Sequence, residues 1–343
     1  MSLKDSPYEA DLHEQVTALK AQLAYTLPPA LGELDLHAFG RIVLSGMGSS
    51  DYATIPVERE LLAMGLPVWR VDAGKLMDTP ELVTSDTLLW LTSQSGMSGE
   101  VVALLDMLKG ERRPATIIGV TNGETSELAK QSDIVVTLKS GHESTVSAKS
   151  YLNTLVAQYR IFLALTGQSE ASLLAELTAF LPHVAGLIAE DTFVHPLTEA
   201  LFRHSQPRIA LIGIGADGTT AMTGALILKE ASKMTAEGYL GGEFRHGPME
   251  TSGEGMLALL IGDKGSETLT HLAEELGANG TTVVTIGPER YGNGVHLPTS
   301  SGEALLRLIG GMLYIQHMTV AFAKAKGLVP GQFFYGQKIT VKI

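Results

Sequence analysis

Arg41-Ile-Val-Leu-Ser-Gly-Met-Gly48 returns in the second half of the chain as Arg208-Ile-Ala-Leu-Ile-Gly-Ile-Gly215. Each copy is a short apolar run that ends in Gly-x-Gly and opens onto a helical pattern. That order reads as a buried strand, a tight turn and a helix. The repeat extends outward from both copies. Leu88–Thr92 reads as a strand followed by a turn and a helix from about Ser98, and Leu257–Ile261 as a strand followed by a turn and a helix from about Ser266. Third strands are expected at Thr116–Val120 and Val283–Ile286. Strands alternating with helices imply parallel sheets covered on both faces, joined by right-handed crossovers. The fold class expected is therefore α/β, with two similar doubly wound domains in tandem.

The remaining helical patterns set the expected boundaries. One helix from about Tyr8 to Leu27 precedes the first sheet, and patterns at Ser147–Leu165 and Ser169–Ala189 bridge the two repeats. A last helix covers about Glu303 to Lys326. The division expected is residues 1–165 for the N-terminal helix and first domain, 166–326 for the second domain, and 327–343 for a tail. The tail carries Pro330, Gly331, Phe333, Phe334 and Tyr335, too apolar to be left in water, and is expected to pack back toward the active site.

Composition narrows the function classes. The chain has 343 residues, 45% hydrophobic and 18% charged, which is globular and long enough for two cores. A net charge of −12 and the lack of a Lys/Arg run argue against nucleic acid. The absence of cysteine excludes disulfides, thiolate metal sites and a cysteine nucleophile. Residues Met1–Leu19 lack an apolar signal core, and Leu305–Ala323 carries Arg307 and His317, so it reads as a buried helix rather than a membrane span. A cytoplasmic protein without membrane partners is the expectation. No metal or cofactor is expected either: the histidines are scattered and no His-x-x-x-His pair occurs.

Open α/β sheets bind ligands beyond the carboxyl ends of their strands. Two loops of the first repeat stand there, Gly46-Met-Gly48-Ser49-Ser50-Asp51 and Ser93-Gln94-Ser95-Gly96-Met97-Ser98. Both open onto helix N-termini, where unpaired N–H groups and the helix dipole favour an anion. Rotatable serine hydroxyls add donors, so a phosphate can be held without lysine. The competing reading is that these serines only cap helices. The second repeat acts as an internal control. Its counterparts, Gly215-Ala-Asp217 and Gly262-Asp-Lys-Gly-Ser-Glu267, lose most of the serines and gain carboxylates that would repel a phosphate. One site, in the first repeat, is the expectation. Gly46 and Gly48 do not make a dinucleotide fingerprint, because Asp51 stands where the third glycine belongs.

Over residues 40–343 the chain resembles the sugar isomerase (SIS) domain family, and within it the isomerase half of the glucosamine-6-phosphate synthases. The resemblance is carried by Ser93-Gln-Ser-Gly96, Ser147-Ala-Lys149, Leu228-Lys-Glu230, Gly242-Glu-Phe-Arg-His-Gly-Pro248 and Lys338-Ile-Thr340, in that order. It implies two flavodoxin-like SIS domains, a phosphorylated sugar or amino sugar as ligand, and a homodimer with a shared active site. Phosphate contacts would fall on Ser49, Ser50, Ser93, Gln94, Ser95 and Ser98, with Gly48, Ser147 and Lys149 also touching substrate. The catalytic carboxylate would be Glu230, the ring-opening histidine His246, contributed across the dimer, and the Schiff-base lysine Lys338.

Three departures from that pattern matter. No glutaminase domain is expected, and without cysteine there is no cysteine-based ammonia release. Ile227 stands three residues before Glu230, where the synthases carry a second lysine, and the arginine that follows a proline in their tail is missing. The resemblance therefore implies a relative that isomerises a hexose 6-phosphate or amino-hexose 6-phosphate with loss or transfer of an amine, of deaminase or deglycase type. The rival expectation is a sugar-phosphate sensor without catalysis. In chemical terms, a carboxylate such as Glu230 can move a proton between adjacent carbons, and a histidine suits ring opening near neutral pH, with His142 a competitor for that part. Lys338 could form an iminium or place charge near a developing oxyanion.

Overall fold

The computed structural model describes residues 6–340. They form two units, each with its own parallel sheet. The N-terminal-sheet unit holds Thr17–Glu143, Lys149–Thr178 and residues 335–340; the C-terminal-sheet unit holds residues 6–16, Ser144–Ala148 and Ala179–Phe334.

In the N-terminal-sheet unit the strands are β1 (Arg41–Gly46), β2 (Val68–Arg70), β3 (Thr87–Thr92), β4 (Thr116–Thr121) and β5 (Ile134–Thr137). They pair in the order β2-β1-β3-β4-β5, all parallel, with Val43 opposite Leu89 and Trp90 opposite Ile118. This is the flavodoxin-type order, with its switch point between β1 and β3. Both faces of the central strands are covered, so their side chains divide by the period of two between two cores. Ile42, Leu44, Trp90 and Ile118 enter one core with Leu31, Leu61 and Ile161; Val43, Leu89, Leu91 and Ile117 enter the other with Leu104 and Leu128. Arg160 is buried on the helix Lys149–Leu165, where Glu170 and the carbonyls of Gln22 and Tyr25 accept its guanidinium hydrogen bonds at 2.6–3.0 Å.

In the C-terminal-sheet unit the strands are β6 (Arg208–Gly213), β7 (Thr235–Leu240), β8 (Met256–Ile261), β9 (Thr282–Gly287) and β10 (Val295–Pro298). Their order, β10-β9-β8-β6-β7, repeats the first topology, again wholly parallel. The two copies of the repeat are thus equivalent strands. Their first glycines have the same reason to be glycine. A Cβ on Gly46 would stand 2.8 Å from the Thr92 carbonyl oxygen, and one on Gly213 would stand 2.4 Å from the Asp217 oxygen. The helix Gly218–Ser232 packs on β7 and on the helix Ala304–Ala325.

Helices Ala171–Ala189 and Ala304–Ala325 are both long and apolar enough to cross a membrane. The second is 83% buried over its most apolar window and holds Arg307 in a salt bridge with Asp217, as a core helix does. The single helix expected before β1 is two helices, Pro7–His13 and Gln15–Ala24, separated at Glu14. Around the tail, the Gly331 N–H donates to the Ala231 carbonyl at 3.1 Å and the Gln332 carbonyl accepts from Lys233 at 2.7 Å. The Lys233 ammonium also stands over the rings of Phe333 and Phe334, at 5.8 and 5.2 Å from their centroids, although Phe334 is half exposed and Tyr335 fully so.

Candidate functional site

The loop Ser93–Ser98 leaves β3 at the carboxyl edge of the N-terminal sheet and ends at the helix Gly99–Met107. Its backbone is tied to the end of β4, where the Asn122 N–H donates to the Gln94 carbonyl at 2.9 Å. Gly96 turns the chain at φ 64°, and a Cβ there would collide with the Ser126 hydroxyl at 2.1 Å. Ser93 is buried, and its Oγ accepts from the Gly96 N–H at 3.1 Å and lies 3.3 Å from Ser98 Oγ. Ser95 Oγ accepts from the Met97 N–H at 3.1 Å.

The decisive detail is Ser98. It occupies the N-cap position of Gly99–Met107, yet its hydroxyl makes no capping bond. Ser126 and Ser266 also stand at N-caps, and their side chains do cap, accepting from Ala129 and Leu269. Helix capping therefore explains Ser126 and Ser266 but not Ser98. Ser93 and Ser98 instead bring two hydroxyls together beside the start of a helix, the arrangement that suits an anion.

The second loop gives Gly48 at φ 54° and then Ser49 and Ser50, both half-buried, at the start of the short helix Ser49–Tyr52. Asp51 lies beneath them. Its carboxylate pairs with Arg70 at 2.5 Å, and Arg70 also holds Glu58 at 3.0 Å. Burial pushes the Asp51 carboxyl up to about 6, against the downward pull of Arg70 and with help from the charges of Asp72 and Glu58. The sign follows from linkage. The folded protein keeps a proton on Asp51 that the unfolded chain releases near 3.8, so this group lowers stability as pH rises from about 4 to about 6. Asp51→Asn is expected to flatten that dependence by up to about 1.4 kcal/mol per pH unit within the window. Urea unfolding at several pH values from 4 to 7 measures it; unchanged slopes would show that Asp51 titrates normally.

Lys338 is held in the same unit. Its ammonium donates to Glu143 Oε2 at 2.8 Å, and the buried Glu143 also accepts from the Ser150 N–H at 3.0 Å and the Ser150 hydroxyl at 2.6 Å. Two residues on, the Thr340 carbonyl accepts from the Gly99 N–H at 2.8 Å, which ties the tail to the first turn of the helix behind the serine loop. The unit thus brings together a hydroxyl-lined helix start and a partly exposed lysine whose carboxylate partner is out of water. Lys149 is buried nearby in sequence, at the head of the helix Lys149–Leu165. Sequence reading missed Glu143 as the partner of Lys338. Its only local signal was a carboxylate between the exposed His142 and the Ser147-Ala-Lys149 motif.

The C-terminal-sheet unit carries the other candidates. Glu230 is half-buried on the last turn of Gly218–Ser232, while Ile227, one turn earlier, is fully buried and packs as an ordinary core residue. Ser147 is half-buried. His246 is exposed, just after the turn Glu243–Arg245, which is anchored by buried Phe244 against Tyr239 with ring centroids 5.2 Å apart. At the positions equivalent to the serine loops, buried Asp217 pairs with Arg307 Nε at 3.0 Å and Asp263 with Arg307 Nη1 at 3.2 Å. Burial raises the Asp217 carboxyl despite that arginine. This edge carries an ion-pair cluster where the other unit has its serines.

Comparison with known proteins bears on the family and the fold. The SIS domain family model matches residues 36–166 and 201–289. The glutamine–fructose-6-phosphate aminotransferase (isomerizing) of Symbiobacterium thermophilum is 28% identical over 302 residues, covering 81% of this chain and 49% of that protein. The chain thus spans about half the length of the curated relatives it matches. Among solved structures, the C-terminal domain of glucosamine-fructose-6-phosphate aminotransferase from Francisella tularensis superposes with a TM-score of 0.83 at 21% identity, covering 95% of this chain and 98% of that one. Glucosamine-6-phosphate deaminase from Thermotoga maritima gives 0.71 at 21% identity, covering 97% and 99%.

Proposed function

Because this chain belongs to the SIS domain family, we propose that it is a phosphosugar isomerase-type enzyme acting on a hexose 6-phosphate or amino-hexose 6-phosphate. The observation that carries the reading is the Ser93–Ser98 hydroxyl pair at a helix start that Ser98 does not cap. It supports a phosphate site of rotatable donors and backbone N–H groups. The substrate class is supported by the relatives, one named an isomerizing aminotransferase and one a glucosamine-6-phosphate deaminase.

The chemistry proposed needs only this chain's side chains and water. His246, supplied by the partner in a homodimer, transfers the ring proton that opens the sugar. Glu230 takes the proton from the carbon bearing the amine and returns one to the neighbouring carbon, through an enolamine. In an amino sugar the resulting imine is hydrolysed by water, releasing ammonia and leaving the ketose phosphate. Lys338 stabilises the developing oxyanion by its charge or holds the open-chain ketose as an iminium.

The test begins with binding. Ser95→Ala and Ser98→Ala are each expected to weaken fructose 6-phosphate or glucosamine 6-phosphate by roughly 1.5–3 kcal/mol, the worth of a hydrogen bond to a charged group. Ser266→Ala, which removes a helix cap in the other unit, should leave affinity unchanged. Calorimetry measures all three, and equal losses at Ser98 and Ser266 would defeat the one-site reading. A screen of phosphorylated amino sugars and Amadori compounds for amine release then separates enzyme from sensor. Tight binding without turnover of any of them would establish the sensor.

A further inference from the structure

A cavity of about 610 Å³ opens in the C-terminal-sheet unit at the amino ends of its strands. Arg208 begins β6 and Thr235 begins β7, so this is the edge away from the loops that follow the strands. Its lining includes Arg208, Lys233, Lys326 and His204, and no aspartate or glutamate. Phe202 and Met234 supply an apolar wall.

The hydrogen bonds of these cations run to neutral oxygens. Lys233 donates to the carbonyls of Glu230 and Gln332, Lys326 to the carbonyl of Lys233, and Arg208 to the Thr251 carbonyl at 2.7 and 2.9 Å. Among the described residues none of the four forms a salt bridge. Burial lowers both lysines from the ordinary ammonium range, and Glu230, on the helix that Lys233 terminates, pulls Lys233 back up. Lys233 itself stands in the left-handed region at φ 55°, where glycine is the usual residue, so its side chain is brought here at a backbone cost. Arg208, Lys233 and Lys326, two of them partly desolvated and none in a salt bridge among the described residues, with the Glu230 carboxylate offsetting part of the charge at Lys233, form a site that an anion would complete. The volume lies within the roughly 300–1,000 Å³ of small-molecule sites and exceeds what a bare phosphate needs.

We propose that this cavity is a second anion site, which takes a phosphate ester with an organic group against Phe202 and Met234. Its lining residues all belong to the C-terminal-sheet unit, and the serine loop belongs to the other unit. Occupancy is coupled to the end of the helix that carries Glu230, because an anion drawing the Lys233 ammonium toward itself withdraws it from the carbonyls of Glu230 and Gln332. The coupling to turnover rests on the function proposed above; the binding does not.

The experiment uses the full chain carrying Ser95→Ala and Ser98→Ala, to weaken the first site. It is titrated calorimetrically at low salt with inorganic pyrophosphate, with fructose 6-phosphate and with ADP. The expected result is one site per chain for at least one of the three, weakened about tenfold or more when Lys326→Gln and Arg208→Gln are added, the loss of a charge-assisted bond. Preference for ADP or for fructose 6-phosphate over pyrophosphate identifies the organic part. Lys326→Gln alone, at an exposed side chain, covers the case in which the Arg208 variant fails to fold, and a thermal melt reports it. No binding of any probe at millimolar concentration overturns the proposal, as does binding indifferent to Lys326. If the serine substitutions prove silent in the wild-type background while Lys326-dependent binding persists, the function reading falls and this site stands.

Discussion

Glu230→Gln is expected to leave phosphosugar affinity within about twofold while turnover falls roughly 10²–10⁴-fold, the usual worth of a positioned acid or base. The substitution keeps the side chain's size and hydrogen-bonding reach and removes only its ability to accept a proton. Ile227 cannot substitute for it, since it is fully buried and apolar. His246→Asn should give a loss of similar order when ring opening limits the rate. The pair also tests the homodimer. If His246 serves the partner's site, mixing and re-forming dimers of Glu230→Gln with dimers of His246→Asn restores one intact site in half of the re-formed molecules. Activity should then recover to about a quarter of wild type, the arithmetic of random re-pairing with one good site in two. No recovery on mixing, together with a monomer in sedimentation, would place His246 within its own chain. Full turnover in Glu230→Gln with a proven substrate would remove Glu230 from the mechanism.

Lys338→Ala and Lys338→Arg together separate the two parts open to that lysine. Loss of the ammonium is expected to cost about 10²–10³-fold in turnover, as for other donors aimed at a developing oxyanion. Arginine keeps the charge but forms no iminium. If Lys338 acts by charge, Lys338→Arg recovers much of the rate, and borohydride traps nothing on the wild type. If it forms an iminium, borohydride fixes the sugar covalently on the wild type, and both variants are inactive and unlabelled. Glu143 makes the lysine's position a matter of geometry. It is buried and already accepts from Ser150 twice, so it holds the ammonium at 2.8 Å without following it into solvent. A mass spectrum after reduction distinguishes the outcomes. Undiminished turnover in Lys338→Ala would leave the tail with a structural role only.

Six strands were legible from the sequence: β1, β3, β4, β6, β8 and β9, the central strands of the two sheets. Covered on both faces, they read as unbroken apolar runs. The four that were not read, β2, β5, β7 and β10, are the four sheet edges. β7, Thr-Ala-Glu-Gly-Tyr-Leu, shows the cause: only Ala236 is fully buried, so its composition follows half-exposed surroundings and its strand identity comes from pairing with β6. The helix Ala304–Ala325 was read within a residue or two at each end, because a long apolar pattern with few breakers is decided locally. The split of the N-terminal helix at Glu14 had no such marker.

The serine loops were also visible in the sequence, because a phosphate cradle at a helix start is contiguous: its donors lie within a few residues of one another. The sequence alone further determined that the two repeats differ in charge at equivalent loops, which separates Ser93–Ser98 from Asp217 and Asp263. Only the tertiary structure decided which serine is a cap and which is not, since Ser98 and Ser266 stand at the same helical position and differ in where the hydroxyl turns. It also decided that Lys338 meets Glu143 across 195 positions and that Arg208, Lys233 and Lys326 line one cavity. Charges that meet through a fold carry no mark in their own neighbourhoods; their partners are chosen by the path of the chain between them.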